Sequence, residues 1–211
     1  MDDAPTIYSI GHSNLGFDAF LARLGQAGIE AIADIRSNPW SRFNPQFNRE
    51  TLKASLKAAG IAYSHLAELG GRPKERQYYC DGVADYRKMR TAPAFAAGLE
   101  RLDAGSRRFR IAILCSEQNP LECHRCLLVG RALHEAGRPV VHLLHDGTSM
   151  TQADVEDRLL DLAGKQGADL FAPREERIAE AYWAQNRGHA FAEPPETKGV
   201  PGAVLSGGDG R

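Results

Sequence analysis

The sequence predicts an α/β fold: a single domain with a mostly parallel sheet of about five strands and helices on both faces, Rossmann-like in arrangement. Three observations lead there. Short apolar runs of strand length alternate with segments whose apolar residues recur at helical spacing. The first strand, helix and second strand fit within about thirty residues, the size of a βαβ unit. Each apolar run also ends on polar, reactive residues, as strands do when their carboxyl ends build a crevice.

Residues 6–10 read as the first strand, ending at Gly11, His12 and Ser13. Phe17, Phe20, Leu21 and Leu24 then follow a helical period, stopped at Gly28. Residues 29–35 are the second strand, ending in Asp34, Ile35 and Arg36. The next stretch mixes Pro39 and Pro45 with Trp40, Phe43 and Phe47, and reads as a structured loop over the strand ends. A helix over 49–59 stops at Gly60, and residues 61–66 form the third strand, leading to Glu68, Gly70, Gly71 and Arg72. Paired glycines let the backbone turn tightly or approach a ligand. Helices are expected over 83–89 and 94–102. The fourth strand, 111–114, runs into Cys115 and Glu117, and a helix opens at Cys123, His124 and Arg125. The fifth strand, 139–144, leads to His145 and Asp146; Thr151 caps a further helix, and a last one covers 175–185. Residues 1–187 are expected to form the domain, with 188–211, rich in Pro, Gly and Glu, as a disordered tail.

Bulk properties narrow the function. A net charge of -1 gives no global attraction to nucleic acid, although a local basic patch would still serve. No apolar run approaches the roughly 18 residues of a membrane span. The acidic start lacks the basic region of a secretion signal, so a cytoplasmic location is expected and no membrane partner. The four cysteines, Cys80, Cys115, Cys123 and Cys126, suit a reducing compartment.

In a parallel sheet the strand carboxyl ends share one edge, so residues remote in sequence can meet there. His12, Asp34, Cys115, Glu117 and His124 are therefore the candidate catalytic residues, and Ser13, Arg36, Ser41, Gly70, Gly71 and Arg125 the candidate substrate-binding ones. Arginine forks match phosphate or carboxylate, which assigns Arg36 and Arg125 to an anion. His12, Asp34 and Glu117 would move protons and Cys115 would be the nucleophile, although a neighbouring carboxylate disfavours a thiolate. Each residue has a plainer reading: Cys115 as a buried strand end, Asp34 as a loop anchor paired with Arg36, His124 as a helix cap. No cofactor is expected. Zinc is the lesser alternative: Cys123 and Cys126 have CxxC spacing, but no second CxxC follows, which leaves only an open site from Cys115, Cys123 and His124. Cys115 and Arg125 are ten apart, too far for a phosphatase loop, and neither a Walker loop nor a dinucleotide fingerprint is present.

Four ordered strings, IYSIGHSN, DIRSNPWSRFNPQFN, YSHLAELGGRP and LCSEQNPLECHR, resemble the family known as domain of unknown function 488, from about Ile7 to Leu144. The resemblance implies an α/β domain. It carries the family pattern onto Gly11, His12, Ser13, Asp34, Arg36, Pro39, Ser41, Phe47, Leu69, Gly70, Gly71, Cys115, Glu117, Cys123, His124 and Arg125. The expected function is an enzyme, a hydrolase or transferase, acting on a phosphorylated or other anionic small molecule, with nucleotide-like molecules as one class among these. Two alternatives stand beside it. One is nucleic-acid binding without catalysis, through the cations and aromatics Arg36, Trp40, Arg42, Phe43 and Phe47. The other is a ligand-sensing regulatory module.

Overall fold

The structure, a computed structural model, describes residues 4–167 and 171–194. Its centre is a six-stranded sheet, one strand more than expected. In chain order the strands are β1 (Ile7–Gly11), β2 (Ala31–Asp34), β3 (Ala62–His65), β6 (Ile111–Cys115), β7 (Val140–Leu143) and β8 (Ser149–Thr151). Their spatial order is β3-β2-β6-β1-β7-β8, parallel except for the antiparallel pair β7 and β8. The extra edge strand arises because Asp146 caps the turn, accepting from the Thr148 N–H at 2.9 Å, and the chain folds back beside β7.

Two separate cores cover the sheet. On one face Phe20 and Leu24 of α1 (Phe17–Gln26) and Leu52 and Leu56 of α2 (Arg49–Ala58) pack on Ile10, Ile32, Ala112 and Leu114. Each such fully buried side chain contributes about 1.5–3 kcal/mol. On the other face α4 (Pro93–Ser106), α5 (Arg131–Glu135), α6 (Gln152–Leu162) and α7 (Arg174–His189) border the core of Ile7, Ala33, Ile111, Ile113 and Val140. Both neighbours of β6 therefore lead into helices on the first face, while β6 leads to the second. Its carboxyl end, Cys115, lies at a divergence of connections, where open α/β sheets form their crevice.

Three local expectations change. The helix over 83–89 is instead strand β5 (Val83–Ala84) followed by the short helix α3 (Tyr86–Met89), capped by Asp85, which accepts from the Arg87 N–H at 3.0 Å. β5 pairs with β4 (Tyr79–Cys80), and the turn places Asp81 at φ 51° and Gly82 at φ 75°, the left-handed pair of a tight hairpin. The helix after β6 does not start as an α-helix at Cys123; a 3-10 turn (Pro120–Glu122) leads to a wide π-helical segment (Arg125–Gly130) before α5. Finally, α7 runs on to His189. Ala84 N–H donates to the Phe191 carbonyl at 2.9 Å and Glu193 N–H to that of Gly82 at 2.8 Å, so residues 188–194 pack on the domain. The rest of the expected tail, 195–211, lies outside the described residues. The Thr151 cap holds, as a full capping box with Asp154 on α6. Among the described residues no helix is long and apolar enough to cross a membrane.

Candidate functional site

Strand alternation sorts the expected residues into two layers. Ile111, Ile113 and Cys115 have one parity on β6 and belong to the second face, whereas Ile10 and Ile32 set the parity of His12 and Asp34, on the first. The registers put Gly11 opposite Cys115 and Asp34 opposite Leu114, so the tips are level along the edge but point to opposite sides.

On the first side, Asp34 is fully buried and grips Arg36 twice: Nε donates to Oδ1 at 2.9 Å and Nη2 to Oδ2 at 2.6 Å. Tyr63 O–H also donates to Oδ2, at 2.8 Å. Arg36 Nη2 reaches the Phe47 carbonyl at 2.9 Å, and Nη1 donates to His12 Nε2 at 3.1 Å. His12 Nδ1–H donates to the Ser13 carbonyl at 2.9 Å, which leaves Nε2 as the acceptor of a neutral ring. Burial, with Arg36 adding to it, drives the His12 pKa down to about 4. Its ring stacks on Phe47 with centroids 4.2 Å apart. His12 and Asp34 hold Arg36 in place, and neither lines the cleft. Arg36 does, with one Nη1 hydrogen uncommitted.

On the second side, Cys115, Glu117, Cys123 and His124 converge. Cys115 Sγ lies 2.7 Å from Glu117 Oε2 and 3.4 Å from His124 Nδ1. Cys123 Sγ lies 3.1 Å from the same Oε2 and 3.9 Å from the same Nδ1. His124 Nε2–H donates to the Ile35 carbonyl at 3.0 Å, which turns Nδ1 toward the sulfurs. Burial, the Cys123 thiol and Glu117 push the Cys115 thiol well up. Burial acts the same way on Cys123, but the Cys115 hydrogen bond, Arg125 and His124 outweigh it and bring that thiol down. Glu117 stands exposed at the rim with Oε2 turned inward; desolvation opposes its charge, and His124 with the two thiols overcomes this, to a pKa of about 2. Its charge and that of Cys123 raise His124 despite burial.

The two layers meet at a polar cleft of about 390 Å³, lined by Arg36, Ser37, Trp40, Ser41, Gly71, Arg72, Cys115, Glu117 and His124 among others. Ser41 lines the rim, but its Oγ is taken by the N–H groups of Phe43 and Asn44, both at 3.2 Å. Gly70 packs against Ser37 with no room for a Cβ. Gly71 passes so close to His124 that a Cβ would sit 2.8–3.0 Å from three atoms of that side chain. Gly71→Ala is expected to cost about 1–3 kcal/mol, the range for overpacking, as measured by urea unfolding. Ser13 lies off the cleft in a left-handed conformation (φ 43°), its N–H on the Ser116 carbonyl at 2.8 Å.

Arg125 is not at the mouth. It is fully buried, and its guanidinium donates to the Glu117 carbonyl and, at 2.8 Å, to that of Gln118. His145 likewise serves the backbone, on the Gly11 carbonyl at 2.7 Å, and Glu68 pairs with Arg101. The cleft also holds residues that sequence reasoning left out: Ser116, Glu122, Tyr86 and, from the end of α7 and just beyond, His189 and Phe191. Glycine and cysteine patterns flag none of these. Arg72, whose guanidinium lies 4.7 Å over the Phe191 ring, lines the cleft beside Arg36.

No curated protein and no solved structure matches the chain. Residues 16–132, more than half of the chain, match a family described as domain of unknown function DUF488. The matched stretch holds every expected site residue from Asp34 to Arg125, and leaves His12 and Ser13 just outside. The chain thus belongs to the DUF488 family.

Proposed function

We propose that this chain is an enzyme, a hydrolase or transferase, that takes a small anionic molecule into the cleft and reacts it at Cys115, Glu117, Cys123 and His124. One observation carries the reading: four reactive groups, their donor atoms all within 4.8 Å of one another, line or abut a polar cleft that also holds Arg36 and Arg72. Arg72 supplies charge, because Arg36 is neutralised by Asp34 and contributes direction through its remaining hydrogen. Glu117, exposed at the rim with Oε2 turned inward, is placed to move protons.

Thermal-shift titration of the full chain with adenosine monophosphate, glucose phosphate and citrate, each against its uncharged counterpart, tests the anion. At least one anion is expected to stabilise the fold saturably. Arg72→Ala should weaken that anion about tenfold or more, the loss of one charge-assisted hydrogen bond. Equal stabilisation by the neutral counterparts, or none by any anion, would refute the reading.

A second reading has its own support. Trp40 and Phe43 are 64% and 77% exposed, and Arg42 lies 4.5 Å over the Phe43 ring. Such a rim suits stacking on single-stranded nucleic acid, whereas Phe47 is buried and takes no part. Salt-sensitive binding of a mixed oligonucleotide, lost in Trp40→Ala, would favour it.

A further inference from the structure

We propose that Cys115, Cys123 and His124 hold a divalent zinc-class ion through two thiolates and Nδ1, with Glu117 as the exchangeable fourth ligand on the cleft side. The donor set comes first. Two sulfurs, one imidazole nitrogen and one carboxylate oxygen lie within 4.8 Å of each other. Sulfur and imidazole ligands select zinc over magnesium or calcium, which take oxygen.

The spacing comes second. Bond lengths of about 2.3 Å to sulfur and 2.0 Å to nitrogen or oxygen imply ligand-to-ligand edges of about 3.5–3.8 Å around a tetrahedral centre. The two sulfur-to-Nδ1 edges, 3.4 and 3.9 Å, bracket that range. The two sulfur-to-carboxylate edges, 2.7 and 3.1 Å, are shorter because thiol hydrogens bridge them. An ion entering the cluster displaces those two protons, and Glu117, exposed and on a loop, backs off by less than about 1 Å to reach the tetrahedral edge.

The surroundings come third. The bond from His124 Nε2–H to Ile35 fixes the tautomer that a ligating Nδ1 requires. The Arg125 N–H points at Cys123 Sγ from 3.4 Å, as at ligated thiolates. The Arg125 side chain is a fully buried cation whose guanidinium contacts are backbone carbonyls; its Nε is unpartnered, and among the described residues no carboxylate pairs with it. Two thiolates and a carboxylate around a divalent ion leave one net negative charge beside it, which supplies the counter-charge a buried guanidinium needs. Cys126 is excluded from the set despite its CxxC spacing. It is fully buried elsewhere, with Gln152 Nε2 at 3.5 Å, so the true partner of Cys123 is Cys115 from the strand.

The inference rests on the reading of this cleft as the reacting centre, and its test reads the metal directly. The full chain, reduced with a phosphine and stripped by chelator, is titrated with cobalt(II) and then zinc. One equivalent of cobalt is expected, with a thiolate-to-cobalt charge-transfer band and the intense visible absorption of a tetrahedral site, bleached by one equivalent of zinc. Cys115→Ser and Cys123→Ser should each lose more than the about 100-fold in affinity that an outer-shell partner is worth, and Cys126→Ser and Cys80→Ser should bind as the parent does. Absence of a thiolate band in the parent, or equal loss in Cys126→Ser, overturns the site. Metal bound without any anion response would leave the ion and refute the anionic substrate; an anion response without metal would do the reverse.

Discussion

Arg125→Met is expected to lower the stability of the fold by about 2–5 kcal/mol, the cost of taking the shared donor away from two loop carbonyls packed at the end of β1. For a domain of this size that is a fall of about 10 °C in Tm. Methionine keeps the length and most of the volume of the side chain, so the loss reports the guanidinium and not a cavity. The Glu117 and Gln118 carbonyls, on a part-buried loop whose first carbonyl packs on Gly11, lose their donors, and an acceptor left unpaired away from water costs about 1–3 kcal/mol. Gly11 explains why nothing else can take over: a Cβ there would overlap the Glu117 carbonyl and crowd the Arg125 guanidinium, so strand end, loop and arginine are packed to contact. Arg125→Lys should recover less than half of the loss, because an ammonium cannot fork between two carbonyls. Urea unfolding with unchanged m-value is the measurement. A variant within 1 kcal/mol of the parent that instead binds anions more weakly would return Arg125 to the substrate role its sequence position suggests.

The second large effect is acid lability at His142. This ring is fully buried between Ser9 Oγ, 2.6 Å from Nδ1, and Gln152 Oε1, 2.8 Å from Nε2, one acceptor and one donor for a neutral imidazole. Burial, reinforced by the Arg125 charge, lowers its pKa from 6.5 to about 3. Below pH 6.5 the unfolded chain takes up a proton that the folded one refuses, so stability is complete above 6.5 and falls as the pH drops toward 3. The loss is about 2 kcal/mol between pH 8 and 5, and about 4–5 kcal/mol in all. His12 adds a loss of the same sign through its own lowered pKa. His142→Gln does not titrate, and its stability from urea unfolding should fall between pH 8 and 5 by about 2 kcal/mol less than the parent's. Parallel slopes in the two proteins would show that His142 takes up its proton as readily in the fold as in the unfolded chain.

These cases mark what a sequence can and cannot disclose. The common edge was readable, because five apolar runs each end on reactive residues and parallel strands align their ends. The face was readable too, in the alternation of Ile32 and Asp34 against Ala33 and Ile35, but grouping by edge alone set His12 and Asp34 beside Cys115. The Asp81–Gly82 pair carries a turn signal, yet residues 83–89 read as a helix, because the strands of that hairpin are only two residues each, too short for a period to show. The burial of Arg125 was not readable. It depends on a loop that closes over Gly11 from another strand. His189 and Phe191 were hidden for a similar reason, since a Gly-, Pro- and Glu-rich composition outweighed the helix that carries on to His189.

The reach of α7 has a consequence for assembly. A chain made from its amino end completes the sheet and sets both cysteines in place before Phe191 meets Ala84 and His189 closes the cleft wall. During synthesis, the sulfurs therefore wait behind an unfinished wall until the last described helix brings His189 and Phe191 to the cleft.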